Sequence, residues 1–150
     1  MVLAEYLNKV DVFQGVSSDQ IERIAQISEL RSCTDGEIVH AESAAAKALY
    51  VLVSGEIELQ VQLSSHNRRI TVGVLNLPYQ CFGWSGLISP NYYTAAAICR
   101  NKTDVIAIDG KKLLAILEQD PATGFKVMKS IAEIISSRLR NCRSALLKTI

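Results

Sequence analysis

Residues 49–63, Leu49-Tyr50-Val51-Leu52-Val53-Ser54-Gly55-Glu56-Ile57-Glu58-Leu59-Gln60-Val61-Gln62-Leu63, read LYVLVSGEIELQVQL. In the second half apolar Ile57, Leu59, Val61 and Leu63 alternate with polar Glu56, Glu58, Gln60 and Gln62. A period of two sends successive side chains to opposite faces, so this half spells a half-buried strand. Ser54-Gly55 punctuates the stretch like a turn.

Working outward, SSHNRR (64–69) predicts a polar hairpin tip and ITVGVLNL (70–77) the strand that follows it. YYTAAAIC (92–99) and TDVIAID (103–109) predict two more short strands, parted by the turn-like Arg100-Asn101-Lys102. Upstream, a further change of period falls on Glu37–Val39. Seven or eight short strands between residues 31 and 109 suggest a jelly-roll or sandwich-like barrel.

Both flanks are helical in pattern. Ser17-Ser18-Asp19 offers N-cap chemistry, after which Ile21, Ile24, Ala25, Ile27 and Leu30 recur near helical spacing. Beyond Asp109-Gly110, KKLLAILEQ (111–119) is a short amphipathic helix. Asp120 caps and Pro121 starts a longer one, running nearly to Ile150. The expected fold is therefore α+β, one domain over residues 1–150. N-terminal helices fill 1–30, a jelly-roll-like β-barrel 31–109, and C-terminal helices 110–150.

On the last helix Phe125, Met128, Ala132, Ile135, Leu139, Cys142 and Leu146 follow alternating three–four spacing, the a and d positions of a heptad. Val127, Ile131 and Ile134 form a second stripe over the first half. One stripe can cover the barrel while the other meets a second copy. The alternative is that both serve the molecule's own core. A parallel homodimer would bring two copies of Cys142 together, with Arg138, Arg140 and Arg143 flanking the seam.

Length and composition narrow the classes. The chain has 150 residues, 49% of them apolar, but no apolar run long enough to span a bilayer. Its first residues, MVLAEYLNKVDVF, lack a secretory signal's basic start and apolar core. A cytoplasmic protein with no membrane partner is expected. Residues 1–75 carry 6 basic and 10 acidic side chains, and residues 76–150 carry 10 and 5. The basic last segment suits either an acidic partner or a solvated helix face. Cys33, Cys81, Cys99 and Cys142 form no CxxC pair, and His40 and His66 have no second ligand at metal spacing. Buried or idle thiols, no metal and no cofactor are expected. Cys81 is the one conceivable nucleophile, beside a helix start that could lower its pKa, with no histidine assigned to it. No enzymatic activity is expected.

The chain resembles cyclic nucleotide-binding domains over almost its whole length. FQGVSSDQIERIA (13–25) is similar to that family's opening turn and helix, and DGEIV (35–39) to its early strand. ALYVLVSGEIEL (48–59) resembles its Leu-Tyr-x-x-x-x-Gly-x-Val strand pair, and VIAIDGKKLLAILEQDP (105–121) the strand and helix that follow. FGWSGLI (82–88) and YTAAA (93–97) stand where the family has its phosphate-binding cassette, Phe-Gly-Glu-x-x-Leu and then Arg-[Thr/Ser]-Ala. The resemblance implies that Phe82, Gly83, Trp84, Ser85, Gly86, Leu87, Tyr93, Thr94 and Ala95 line a ligand site. It also implies a tight turn at Gly83 into one helical turn, with the N–H groups of Ser85 and Gly86 facing an anion.

Two cassette positions depart from the pattern. Trp84 replaces the glutamate that accepts from the ribose hydroxyl, and Tyr93 replaces the arginine that pairs with the phosphate. Hydrogen bonds to charged groups contribute about 1.5–3 kcal/mol each, so losing both would weaken binding by two to four orders of magnitude. Nothing in the spacing brings Arg68, Arg69 or Arg100 to the phosphate. The loop keeps the geometry and loses the charge pair, and Trp84 is suited to stacking or to plugging the site.

The expectation is a stand-alone regulatory domain. It binds a small ligand (a cyclic nucleotide weakly, or another molecule) and signals through its C-terminal helix to a downstream protein. The alternative is a dimeric interaction scaffold with a dead pocket. The family's transcription factors add a helix-turn-helix domain after the long helix. A chain ending at Ile150 leaves no room for one, so direct DNA binding is not expected.

Overall fold

The side chain of Ser17 accepts the Gln20 N–H at 3.3 Å and so starts the helix Ser18–Gln26, here α2. It follows α1 (Leu3–Leu7) and a 3-10 turn at Asp11–Phe13. The computed structural model describes residues 1–63 and 67–149, so His66 and positions 64–66 of the expected hairpin tip lie outside the described residues.

Six strands follow: β1 (Ser28–Cys33), β2 (Ile38–His40), β3 (Ala48–Leu63), β4 (Arg68–Leu75), β5 (Cys81–Phe82) and β6 (Ala96–Asp109). They form one antiparallel sheet in the order β1-β6-β3-β4, with β2 paired to β6 and β5 to β3. The architecture is the expected α+β roll, jelly-roll-like with helices on its flank, although the sheet is not closed. The N-terminal helical region ends at Gln26, and Leu30, read as helical, lies in β1.

Two expected turns turn out to be corners inside long strands. Ser54-Gly55 sits within β3 and Arg100-Asn101-Lys102 within β6, each strand running through its polar stretch without a break. The β3–β6 register shifts between Leu52 and Ser54 and again between Ser54 and Glu56, so both strands bend together there. Thr103, fully buried, ties the corner: its hydroxyl accepts the Glu56 N–H at 3.2 Å and reaches the Arg100 carbonyl at 3.1 Å. Six long and short strands therefore replace the seven or eight short ones.

Asp109 caps α3 (Gly110–Gln119) by accepting the Lys112 N–H at 2.9 Å. Asp120 caps α4 (Pro121–Thr149) through the Thr123 N–H and hydroxyl, at 3.3 and 2.8 Å. Val127 and Ile131 of α4 join Phe13, Ile21, Ile24 and Leu113 in an outer core between the helices and the sheet. Each such apolar side chain gains about 1.5–3 kcal/mol from burial. A second, inner core fills the roll around Leu52, Ile57, Phe82 and Cys99.

The structure splits the heptad stripe of α4. Phe125 and Leu139 are 70% and 68% exposed, and Ala132 and Leu146 also face outward. Met128, Ile135 and Cys142 are half-buried instead. The Cys142 thiol lies 3.5 Å from the Val72 carbonyl of β4. The expectation that Cys142 sits in an outward seam is thus corrected: at 3.6 residues per turn a step of three residues sets the d positions about 60° around the helix from the a positions, on the flank that faces the roll.

Candidate functional site

Gly83 leaves β5 in the left-handed conformation, φ 75°, and opens a 3-10 turn over Trp84–Gly86. A β-carbon there would meet the Tyr50 ring at 3.0 Å, which adds to the conformational need for glycine. The expected tight turn into a single helical turn is present. Its donors are used differently from the expectation, because the Gly86 N–H bonds the Gly83 carbonyl at 3.1 Å and the Leu87 N–H the Trp84 carbonyl at 2.8 Å. A 3-10 turn closes i to i+3, so it spends on itself the N–H of Gly86 that was expected to face an anion.

The nine cassette positions go to different places. Phe82 is fully buried in the inner core, stacked on Tyr50 at 5.3 Å between centroids, and Leu87 is buried in the outer core. Gly86 is buried against the backbone of Ala48. Trp84, Thr94 and Ala95 line a pocket of about 490 Å³. Ser85 lies outside it, in a neighbouring groove with Trp84 and Tyr93.

Tyr93 turns inward, away from that pocket. It is buried, stacked on His40 at 3.8 Å, and its hydroxyl donates to the Ala48 carbonyl at 2.8 Å while accepting the Ala48 N–H at 3.3 Å. Burial pushes its hydroxyl up to about 12. The ring occupies the place of a guanidinium and anchors the start of β3. His40 shares this aromatic nest, and burial holds its pKa down to about 4, with the nearby Ala95 carbonyl opposing in part. Neither ring nitrogen makes a hydrogen bond, so the imidazole sits in the core neutral.

The 490 Å³ pocket has three walls. Leu59, Val72 and Leu75 come from the sheet, Trp84, Thr94 and Ala95 from the cassette, and Ile134, Ile135, Arg138 and Leu139 from α4. The volume lies in the range of about 300–1,000 Å³ typical of small-molecule sites. Arg138 is the residue that sequence reasoning missed, having placed it beside an outward seam. Its guanidinium lies 4.8 Å over the Trp84 ring and donates through Nη2 to the Cys81 carbonyl. The Cys81 N–H in turn donates to Asp11 at 3.4 Å, so the backbone of this one residue is gripped from the N-terminal turn and from α4. Nη1 of Arg138 is buried with no hydrogen-bond partner. Leaving such a donor unmet costs about 1–3 kcal/mol, more for a charged group. Burial lowers the pKa of Arg138 and raises that of Asp11.

The other basic candidates are placed elsewhere. Arg100 is paired with Glu58 at 2.8 Å, and Arg68 and Arg69 are exposed at the start of β4. Cys81 is buried, and burial together with the Asp11 charge raises its thiol pKa, the reverse of the activation considered from sequence. Among the described residues no group of three or more His, Cys, Asp or Glu could hold a metal ion, and no helix is long and apolar enough to cross a membrane.

A roll of antiparallel strands with a glycine-turn cassette and a long helix over the pocket is the architecture of a ligand-sensing regulatory domain. The cyclic nucleotide-binding domain model matches residues 30–120, more than half of the chain, and the protein belongs to that family. It is similar in structure to a candidate cyclic nucleotide-binding protein of Geobacter metallireducens, with TM-score 0.80 and 32% identity over 93% of this chain and 99% of that one. A cyclic nucleotide-binding domain from Methylobacillus flagellatus shares the fold, with TM-score 0.81 and 16% identity over 99% of this chain and 82% of that one. In sequence it is 23% identical over 130 residues to the cyclic AMP receptor protein of Thermus thermophilus, covering 86% of this chain and 57% of that protein. The chain spans between 15% and 57% of the length of the curated relatives it matches.

Proposed function

We propose that this domain is a non-catalytic sensor that binds a cyclic nucleotide weakly, or a similar small molecule, and signals through α4. The observation that carries the reading is the shared wall. An occupant that fills the 490 Å³ pocket would touch the sheet, the cassette and α4 at once. Occupancy therefore biases the seating of the helix, and the free energy available for signalling is the occupant's differential affinity for the two seatings.

Weak binding follows from the cassette. Tyr93 and the bonded Gly86 N–H remove two of the contacts that hold a cyclic phosphate, so cyclic AMP and cyclic GMP are expected to bind with Kd in the high micromolar range, about −5 to −6 kcal/mol. Titration with either nucleotide, read by the fluorescence of Trp84, the sole tryptophan, measures this. A low-micromolar constant would overturn the weak-binding reading. No response up to several millimolar would favour the second reading, a scaffold with a silent pocket. One observation speaks for that alternative: Tyr93 fills its position with a ring whose hydroxyl is already satisfied.

The outward stripe of α4 supports a homodimer in either reading. Phe125, Ala132 and Leu139 repeat every seven residues on one face, the spacing that a parallel two-fold pair buries. Burial of each large side chain there contributes about 1.5–3 kcal/mol. Leu139→Glu should shift the population toward monomer in light scattering at tens of micromolar protein. A monomer mass for the natural protein under the same conditions would refute the dimer.

A further inference from the structure

We propose that Arg138, carried by α4, supplies the cation that holds the phosphodiester of a bound cyclic nucleotide, in place of a cation from the cassette. The inference rests on the ligand-sensing reading above and names the residue on which it turns. Among the residues lining the 490 Å³ pocket, Arg138 is the one base and Asp11 the one acid. Asp11 is committed elsewhere, its carboxylate accepting the N–H groups of Val12 at 2.7 Å and Cys81 at 3.4 Å. Arg138 is half committed, with Nη2 on the Cys81 carbonyl and Nη1 buried and unpartnered. Its guanidinium carbon lies 4.8 Å over the Trp84 ring, which sets the group that carries this donor beside the first residue of the cassette turn. A monoanion seated between the turn and α4 would satisfy the donor through a charge-assisted hydrogen bond.

Holding the phosphate from α4 has a functional corollary. In this arrangement the charge contact and the signalling helix are the same element, so no relay is needed between ligand and α4. Formation of the contact stabilises whichever seating of α4 keeps Nη1 over the cassette.

The test uses the whole chain and three variants of position 138, with cyclic AMP and uncharged adenosine as probes and ligand-observed NMR as the readout. Arg138→Gln should weaken cyclic AMP binding about ten- to hundredfold, while adenosine changes less than about twofold, since it carries no charge for the arginine to meet. Arg138→Lys should restore part of the loss, because an ammonium keeps the charge but cannot hold the Cys81 carbonyl and the phosphate together as a fork does. Arg138→Met keeps the length and apolar stem, and should behave like Arg138→Gln if charge is what matters. Circular dichroism and thermal midpoints identify any variant that does not fold, and the remaining variants decide the outcome. Cyclic AMP affinity unchanged in Arg138→Gln or Arg138→Met would overturn the arginine assignment and leave the sensor reading intact. Absence of cyclic AMP and adenosine binding to the natural protein would overturn both.

Discussion

Gly86→Ala is expected to destabilise the domain by about 3 kcal/mol, the upper part of the range for overpacking a rigid core. A β-carbon at Gly86 would lie 2.6 Å from the Ala48 carbonyl oxygen and 2.7 Å from its carbon. Those atoms belong to the first residue of β3, whose N–H and carbonyl are both engaged by the Tyr93 hydroxyl. Retreat to the other side is blocked as well. The Gly86 carbonyl already stands 2.4 Å from where a β-carbon of Gly110 would be, so the turn is wedged between two backbones. Flexible side chains could yield to an added methyl, but main chain tied into a central strand and a helix start cannot. Urea unfolding measures the loss, with Ser85→Ala, one residue away and half-exposed, as a control expected within about 0.5 kcal/mol of the natural protein. A loss below about 1 kcal/mol for Gly86→Ala would show that the turn is looser than this packing implies.

Acid is expected to weaken the fold well above the carboxylate range, and His40 is the cause. Burial holds its folded pKa at about 4, below the ordinary imidazole value of 6.5. The unfolded chain therefore binds a proton that the native core refuses, and it does so between those two values. Stability from neutral His40 is complete above pH 6.5 and is lost as the pH falls toward 4. The difference corresponds to about 3 kcal/mol. Glu58 acts in a lower window. Hydrogen bonds from Thr71 and then Arg100 and Gln60 hold its carboxyl down to about 2, so its contribution, present above 4.5, fades only as the pH drops toward 2. Denaturant midpoints at pH 7.0, 5.5 and 4.5 should fall steadily in the natural protein. His40→Phe places a non-titrating ring among Tyr50, Phe82 and Tyr93 and should flatten the slope. Equal slopes in the two proteins would refute the assignment.

Much of the fold was legible because local chemistry and tertiary role agree. Ser17 and Asp120 read as caps and are caps, and the alternation from Ile57 to Leu63 runs through the outer half of β3. Legibility failed where a polar triplet bends a strand instead of ending it. Arg100-Asn101-Lys102 has the composition of a hairpin turn, yet the Asn101 N–H donates to Asp35 at 2.7 Å and the strand continues. That partner is 66 residues away, and no local pattern reports it. The candidate site was partly legible. The glycine turn and the loss of the cassette charges follow from residues 82–95. The role of Arg138 does not, because at sequence level it is one basic residue among several on a long helix. Only the packing angle of α4 turns Arg138 and Cys142 toward the roll and leaves Leu139 largely exposed at the edge of the pocket.

The sheet separates the outer core from the inner one, and the same strands furnish both. Leu49 and Val51 of β3, Ile106 and Ile108 of β6 and Cys81 of β5 enter the outer cluster, while Tyr50, Leu52, Val105, Ala107 and Phe82 enter the inner one. Adjacent residues thus serve opposite compartments, and a slip of one position would exchange their contents wholesale. Displacing β3 or β6 would strip a wall from both compartments at once. In hydrogen-exchange terms the two long strands belong to a single cooperative unit. Backbone amides of β3 and β6 are therefore expected to exchange together, whichever compartment their side chains enter.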